Sequence, residues 1–549
     1  MIARLSAMWE KAISSLQIHA AGHSLAFLLP VIAGAFFAPS AVWSQSEPVF
    51  RFSESLGPYA VGLRVVAQYD RSRTFRYAVD ELGKPYLGVR SRPLQTLIWY
   101  PADDGRSSKH MTMGDYLSLM QTEIEFDHPK EPVKEKEWAS ALGPTLTMPL
   151  RALRDAPPAP GSSHFPIVIY APGANDPAWE NPDLCEYLAS YGYIVIASPS
   201  LGAKSRRMTI DVGGANAQAT DISFLIGYSE TLPYADTSKI AVIGMSWGGL
   251  ANLFAAARDS RIGALVSLDG SMRYFPHVVE EAGDVHPEQM TIPLIAFAER
   301  DWSIEEADHY LSPENRAGPN VLNRWTHGDL IAVHVMDLSH AEFNSLYQRN
   351  QDFWWQLDHV YPLSQADYGR ADAMVGYSWV ARYTLRFLDA YLKADAAAMA
   401  FLKRRPIENQ VPPHILAVNY RPASGNPASF EAFRAELGRR GFSHASEIYS
   451  VFRAQNPKFE LDEGMIIDWS DELLSDSHPS ESLILLKLNL QLHPDSSNAY
   501  LQLGTAYELH GQAQTAMENY REAVTRDPLN GGARRKLMEV STHEGPPKR

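Results

Sequence analysis

The stretch AVIGMSWGGLAN, residues 241–252, decides how the rest of the chain is interpreted. It places Ser246 between Gly244 and Gly248, at the point where an apolar run gives way to the helical pattern GLANLFAAARD. A sharp turn from strand to helix crowds the backbone of its central residue, so the residues two before and two after must be small. The stretch therefore predicts that Ser246 is a nucleophile held on a sharp turn, with Gly244 and Gly248 as the glycines that permit it.

Short apolar runs alternate with helical patterns on both sides of this turn. Runs that are apolar throughout are typical of strands buried on both faces of a parallel sheet. The runs are PIVIYA (166–171), YIVIAS (193–198), KIAVIG (239–244), GALVSLD (263–269), IPLIAFAERD (292–301) and LIAVHVMDLS (330–339). The alternation predicts an α/β domain over residues 50–400 with a doubly wound, mostly parallel sheet. Charged and proline-rich residues at about 102–163 indicate an insertion into that domain.

A serine nucleophile needs a base, and the base needs an acid that orients it. In a sheet of this kind both partners follow the serine along the chain. His340 comes just past the last strand-like run, in MDLSHAEFN, and is the predicted base. The acid is left open at this point, because Asp269 ends one strand-like run and Asp301 ends the next.

The negative charge that develops on a reacting carbonyl needs two backbone N–H donors. One is predicted to be the amide of Trp247, which follows the nucleophile. The second is expected from the loop after PIVIYA, where APGAN supplies the amide of Ala174 next to Gly173.

Six segments between residues 57 and 395 resemble the α/β-hydrolases of the dienelactone hydrolase and platelet-activating-factor acetylhydrolase group. They are LQTLIWYPA, FPIVIYAPG, GMSWGG, LDGSMRYFP, IPLIAFAERD and LSHAEFN. The resemblance implies a serine esterase triad carried on Ser246 and His340. The acetylhydrolase-like segments LDGSMRYFP and HAEFNSL imply Asp269 as its acid, whereas the dienelactone-hydrolase-like AERDWS implies Asp301. Two segments favour Asp269, which is the preferred acid.

The last part of the chain has a different pattern, which indicates helical repeats. Residues 497–530 form a 34-residue unit with large, small and terminating residues at the spacing of a tetratricopeptide repeat. A degenerate earlier unit spans about 463–498, so repeats are predicted over 463–540, after a linker and helical region at 401–462. The repeats are a candidate surface for a protein partner.

Composition limits the remaining possibilities. A net charge of −15 argues against nucleic acid as a partner. The chain has one cysteine, Cys185, so an intramolecular disulfide is impossible. Residues 12–46 hold no Asp, Glu, Lys or Arg and contain SLAFLLPVIAGAFF followed by small residues, which predicts a cleaved signal peptide over 1–45 and an exported protein, periplasmic or secreted. A retained membrane anchor over 24–43 is the alternative.

Together these features predict an exported serine hydrolase that cleaves a small-molecule carboxylic ester. An acyltransferase using the same acyl-enzyme is one alternative, and a non-catalytic hydrolase-like scaffold that binds a protein through its repeats is another. No cofactor and no metal are expected, since the sequence holds neither HExxH nor clustered Cys and His.

Overall fold

A computed structural model describes residues 50–80, 82–103, 109–127, 143–161, 164–300, 321–349 and 368–543. The predicted leader and the alternative acid Asp301 lie outside these ranges. Within these ranges, no helix is both long enough and apolar enough to cross a bilayer. The chain divides after Ser424 into a unit that carries the sheet and a C-terminal helical unit.

The first unit is built on one sheet of eleven strands in the order β11-β10-β9-β8-β7-β5-β6-β2-β1-β4-β3. The strands are β1 (Ala60–Thr74), β2 (Ser91–Ala102), β3 (His110–Thr112), β4 (Pro149–Arg154), β5 (Phe165–Ala171), β6 (Ile194–Ala197), β7 (Ala235–Met245), β8 (Ile262–Leu268), β9 (Leu294–Ala298), β10 (Leu330–Val335) and β11 (Leu416–Arg421). Strands β5 to β10 run parallel, whereas β2 and β11 are antiparallel to their neighbours. This confirms the predicted mostly parallel α/β sheet.

Helices cover both faces of the sheet. They are α1 (Met113–Ser118), α2 (Pro182–Ser190), α3 (Val212–Ser229), α4 (Trp247–Ala256), α5 (Pro276–Ala282), α6 (Val321–Arg324), α7 (Ser345–Arg349), α8 (Arg370–Leu392) and α9 (Ala396–Lys403). Alternate residues of a strand point to opposite faces. In β5, Val168 and Tyr170 join the core with α2 and α8, whereas Ile167 and Ile169 join the core with α3 and α4. Burial on both faces explains why the central strands read as unbroken apolar runs.

The ends of the sheet differ from the sequence prediction. The insertion at 102–163 contributes β3 and β4, which extend the sheet at one edge. At the other edge β11 pairs with β10, so the sheet continues past residue 400, where the sequence suggested that the domain ends. The physical reason is that edge strands are short and partly exposed, as the half-buried LAVNYR of β11 is, and so lack the apolar run of a central strand.

The C-terminal unit consists of helices joined by short turns. They are α10 (Phe430–Arg440), α11 (Ala445–Gln455), α12 (Glu463–Ser475), α13 (Pro479–Leu492), α14 (Ser497–Leu509), α15 (Ala513–Arg526) and α16 (Gly531–His543). The pair α12–α13 recurs as α14–α15 after 34 residues (497 − 463 and 513 − 479). A third pair, α10–α11, precedes them in the region predicted to be a linker and helical region. The tetratricopeptide assignment of these pairs stays a prediction.

Candidate active site

Ser246 lies on the turn between β7 and α4. Its backbone has φ 50° and ψ −118°, a conformation that residues with a side chain rarely adopt and that persists only when the surroundings hold it. The Ser246 N–H donates to the Leu268 carbonyl at 3.1 Å, and the Ser271 N–H donates to the Ser246 carbonyl at 2.7 Å. The end of β8 and the chain after it therefore hold the strained turn in place.

Close packing requires the two glycines that flank the serine. A side chain at Gly244 would collide with the Gly248 carbonyl, and one at Gly248 would collide with the Ala171 carbonyl at the end of β5. Backbone contacts around Ser246 therefore require glycine at both positions, as the sequence pattern predicted.

Three side chains form a continuous hydrogen-bonded chain at this turn. The Ser246 Oγ lies 2.9 Å from His340 Nε2, and His340 Nδ1 lies 2.5 Å from Asp269 Oδ2. The residues come from the ends of β7, β8 and β10, which meet at the carboxyl edge of the parallel strands. The Asp269 side chain is fully buried, whereas 34% of the His340 side chain is exposed. A molecule in solvent can therefore reach the histidine and serine but not the acid.

Asp269 is held by two further hydrogen bonds. Its Oδ1 accepts from the Tyr274 hydroxyl at 2.8 Å and from the Glu299 N–H at 3.1 Å. Burial acts to raise the pKa of Asp269, but the hydrogen bond and charge of His340 outweigh it, and the pKa is lowered. The acid thus stays ionised and fixed beside the imidazole.

Glu299, at the end of β9, is a second carboxyl group in contact with the histidine. Its Oε2 accepts the backbone N–H of His340 at 2.7 Å. Burial, followed by the charge of Asp269, raises the pKa of Glu299 to about 8. Burial acts to lower the pKa of His340, yet Asp269 and then Glu299 raise it above its ordinary value. Glu299 is therefore largely protonated at neutral pH, so it adds little charge beside Asp269.

One predicted oxyanion donor directly follows the serine, and the other belongs to the loop after β5. Trp247 is the first residue of α4, where a backbone N–H has no acceptor within the helix. Among the described residues, the Ala174 N–H has no backbone or side-chain acceptor. The neighbouring Gly173 N–H instead donates to Glu180 Oε2 at 3.0 Å, and a side chain added at Gly173 would lie 3.5 Å from the Ser246 Cβ.

Two acids in the same loop form a pair beside the serine. Asp176 and Glu180 share a side-chain hydrogen bond, and Glu180 also accepts from the Tyr170 hydroxyl at 3.1 Å. Burial raises the pKa of Asp176 to about 6, and burial followed by the charge of Asp176 raises that of Glu180 well above its ordinary value. The pair therefore holds at least one proton at neutral pH.

Arg206 connects this loop to the insertion. Its Nη2 donates to the Asn175 carbonyl at 3.2 Å and lies 2.8 Å from Oε2 of the buried Glu123. The Asn175 Oδ1 accepts the Met208 N–H at 2.7 Å. The segment after β6 thus braces the loop that carries Ala174.

The sequence prediction identified the serine, the histidine and the preferred acid of this cluster but not the surrounding acids. Asp301 lies outside the described residues, while Glu299, two positions earlier in the same AERD segment, contacts the histidine backbone. An acid at the end of β9 was therefore foreseeable. The pair Asp176 and Glu180 was visible only as two acids in a loop, because sequence does not reveal their burial.

Asp269, Glu299 and His340 also offer atoms within 4.8 Å of one another, a spacing that metal ligands can have. The 2.5 Å between Asp269 Oδ2 and His340 Nδ1 is a direct hydrogen-bond contact, shorter than the about 2.7–2.9 Å usual for a charge-assisted N–H···O bond. Two atoms that each bind one zinc ion at about 2.0–2.2 Å are farther apart than this in tetrahedral geometry. The cluster is thus explained by its hydrogen bonds.

No protein-family model and no curated protein matches the chain. Among solved structures, a ferulic acid esterase from Streptomyces cinnamoneus is similar, with 18% identity, a TM-score of 0.45 and coverage of 67% of this chain and 98% of that one. A likeness at this level has no bearing on function.

The sheet order, the helices on both faces and the strained serine between β7 and α4 define the class of this unit as the α/β-hydrolase fold. The narrower resemblance to the dienelactone hydrolase and acetylhydrolase group stays a prediction, since no family model matches.

Proposed function

We propose that this protein is a serine hydrolase of carboxylic esters that works through an acyl-Ser246 intermediate. The observation that carries the proposal is the unbroken hydrogen-bonded chain from Ser246 Oγ through His340 to the buried Asp269, with separations of 2.9 and 2.5 Å. A serine hydroxyl is a weak nucleophile until an adjacent base takes its proton, and the base acts only in the correct tautomer. This arrangement meets both requirements.

The reaction proceeds in two balanced steps. Ser246 Oγ attacks the ester carbonyl while His340 Nε2 takes its proton, and the same proton passes to the departing alcohol as the bond to it breaks. Water then attacks the acyl-serine, giving a proton to His340, which returns it to Ser246 Oγ as the carboxylic acid leaves. Asp269 keeps the proton of Nδ1 in place and stabilises the imidazolium in both steps.

The N–H groups of Trp247 and Ala174 are proposed to bind the oxyanion that forms in each step. Each follows a residue whose position is fixed: Ala174 follows Gly173, which bonds to Glu180, and Trp247 follows Ser246, which is held by two backbone bonds. Donors that are already oriented require no reorganisation when the charge appears. The proton held between Asp176 and Glu180 limits the negative charge facing that oxyanion.

The proposal is tested by replacing the nucleophile. Ser246→Ala removes the attacking oxygen, so we expect hydrolysis of p-nitrophenyl acetate and butyrate to fall by about 10⁴-fold or more. A fluorophosphonate probe should label the wild-type protein at Ser246 and leave the variant unlabelled. Ser238→Ala, an exposed serine on the same strand β7, is the matched control and should retain full activity. Wild-type protein that folds but neither hydrolyses these esters nor reacts with the probe would refute the proposal.

We also propose that the protein is exported, on the ground of the uncharged N-terminal segment 12–46 and its apolar centre. Cleavage near Ser44 should leave a mature chain that begins close to residue 45. N-terminal sequencing of the protein recovered outside the cytoplasm measures this, and an intact Met1 on that protein would contradict cleavage.

A further inference from the structure

The connection between β1 and β2 is a long, ordered hairpin. We call residues 75–80 and 82–90 the apolar hairpin. The Phe75 N–H donates to the Arg90 carbonyl at 2.7 Å and the Tyr86 N–H to the Ala78 carbonyl at 3.0 Å. At its tip the Asp80 carboxylate accepts from the Lys84 N–H at 2.8 Å. The backbone is thus hydrogen-bonded from base to tip.

The side chains of this hairpin are unusually apolar for their exposure. Among the described residues of the first unit, seven large hydrophobic side chains are classed as exposed, and five of them lie in the apolar hairpin. They are Tyr77 (64% exposed), Val79 (49%), Leu82 (78%), Leu87 (96%) and Val89 (54%). Single exposed hydrophobic residues are ordinary, but a cluster of them marks a surface that meets another apolar phase.

The apolar hairpin is also basic in an acidic protein. Residues 75–90 carry three Lys or Arg against two Asp or Glu, and Arg71 and Arg73 precede them, whereas the whole chain has a net charge of −15. Arg71, Lys84 and Arg90 are exposed. Lys204, also exposed, reaches the base of the hairpin, where its Nζ donates to the Thr74 carbonyl at 2.9 Å. Exposed cations therefore lie at both ends of the hairpin, Lys84 near its tip and Arg90 and Lys204 at its base.

The sheet topology places this surface on the same edge as Ser246. Strand β1 is antiparallel to β2, and β2 is antiparallel to β6, so β1 runs in the direction of the parallel strands. Its end, where the apolar hairpin begins, therefore lies at the carboxyl edge of the sheet. Arg92, at the foot of the hairpin, donates to the Leu201 carbonyl at 2.9 Å, and Arg206 from the same segment donates to the Asn175 carbonyl at 3.2 Å beside the serine.

We propose that the apolar hairpin docks on an anionic lipid surface, with its leucine, valine and tyrosine side chains entering the interface and its cations meeting the headgroups. Apolar side chains beside Lys and Arg are the combination by which peripheral proteins bind such surfaces. Docking there turns the carboxyl edge of the sheet toward the bilayer. If the proposed function holds, the Ser246 site then works on esters at or near that surface.

Charge favours lipid over a second copy of the chain as the occupant. Two apolar hairpins facing each other would bring together the exposed cations Arg71, Lys84 and Arg90 of both copies. Like charges in close contact repel, so self-association through this surface is opposed. An anionic headgroup layer neutralises the same charges.

Vesicle binding tests the proposal. Protein exported by the expression host, with its N-terminus sequenced, is sedimented with vesicles of phosphatidylcholine alone or with 30 mol% phosphatidylglycerol (about a third of the lipid, to give a strong surface charge). We expect binding to the anionic vesicles and at least tenfold weaker binding to the neutral ones. Leu82→Ser/Leu87→Ser and, separately, Lys84→Glu should each weaken anionic binding by about tenfold or more.

Matched controls come from the same unit. Ile407, which is 61% exposed, and the exposed Arg404 lie outside the apolar hairpin, so Ile407→Ser and Arg404→Glu should bind like the wild type. All variants alter exposed side chains and should keep the wild-type melting temperature and rate on p-nitrophenyl acetate. A wild-type protein inactive on that ester refutes the proposed function, while the binding result stands by itself.

Three results would overturn the proposal. They are equal binding to neutral and anionic vesicles, binding by the hairpin variants as strong as that of the wild type, and a concentration-dependent dimer in analytical ultracentrifugation that Leu82→Ser/Leu87→Ser abolishes. The last would identify a second copy as the occupant.

Discussion

At the scale of single residues, the site contains an ionised acid and a largely neutral acid within one cluster. Asp269 Oδ2 accepts a hydrogen bond from Nδ1 of the His340 imidazole at 2.5 Å. Glu299 Oε2 accepts a hydrogen bond from the backbone N–H of the same histidine at 2.7 Å. The hydrogen bond and charge of His340 lower the pKa of Asp269, whereas burial and then the charge of Asp269 raise the pKa of Glu299. Asp269 then orients the ring, and Glu299 is a positioning residue that holds the backbone beneath it.

Glu299→Gln and Glu299→Ala separate the charge of this residue from its hydrogen bond. The pKa of Glu299 is about 8, so the wild-type kcat/KM profile should inflect near pH 8 as Glu299 ionises beside Asp269. Gln keeps an acceptor oxygen without titrating, so it should retain activity at pH 7 within about threefold and lose that inflection. Ala removes the acceptor of the His340 N–H, and kcat should fall about 10–100-fold with KM nearly unchanged.

Steady-state kinetics from pH 5 to pH 10 on p-nitrophenyl butyrate measure both variants. The fall in rate at acid pH, set by protonation of His340, should persist in the Gln variant. A Gln variant that keeps the inflection near pH 8, or that is as impaired as Ala, would show that Glu299 does not act in this way.

At the scale of elements, the central strands and the turn were predictable because burial on two faces leaves a continuous apolar run. The run KIAVIG, for example, lies within β7 (Ala235–Met245), with the serine just beyond its end. The edge strands were not predictable, since β3 has three residues and β11 alternates between buried and exposed positions. The helical region predicted within 401–462 contains the pair α10–α11, which was not assigned to the repeats because it lacks the glycine and tyrosine spacing of residues 497–530.

The pairing of α14 with α15 depends on that spacing. A Cβ at Gly504 would lie 2.6 Å from Tyr520 Cε1, and the Tyr520 ring is fixed by its hydroxyl bond to Glu508 at 2.5 Å. Gly504→Ala should therefore destabilise the helical unit by about 1–3 kcal/mol through overpacking. Gly438→Ala is the control, because Gly438 lies in helix α10 with no atom near its absent Cβ.

Urea unfolding followed by circular dichroism measures the two glycine variants. Gly438→Ala should be neutral or stabilising by up to about 1 kcal/mol, as alanine is the better helix former. Equal effects of the two substitutions would mean that α14 and α15 do not pack as closely as these contacts require.

At the scale of the whole molecule, the site is assembled from residues far apart in sequence. His340 could be proposed from its place after the last strand-like run, and Asp269 was preferred over Asp301 on the family resemblance, but the burial of the acids around them depends on packing between distant segments. Outside the site, Glu186 in α2 is enclosed in the same way, since its Oε2 accepts the Arg151 N–H at 2.7 Å and its Oε1 accepts from the Tyr116 hydroxyl at 2.9 Å. No local sequence pattern indicates which acidic side chains become buried in this way.

These enclosed acids make the stability of the protein depend on pH. Burial raises the pKa of Asp176 to about 6, of Glu123 and Glu186 to about 7, and of Glu299 to about 8. Between about pH 5 and pH 8 the folded chain therefore holds protons that the unfolded chain has released. The unfolded state binds fewer protons in this window, so the free energy of unfolding must fall as pH rises.

The expected slope is about 1.4 kcal/mol per pH unit for each acid that is protonated only in the folded state. Glu186→Gln replaces one such acid with a neutral side chain, whose oxygen can accept from Arg151 while its amide reaches Tyr116. In this variant the free energy of unfolding should decline less steeply between about pH 5 and pH 7, by about 1.4 kcal/mol per pH unit. Urea unfolding of both proteins at half-unit intervals from pH 5 to pH 8 measures the difference. A stability that stays level or rises over this range in the wild type would mean that these carboxyl groups are ionised in the folded protein.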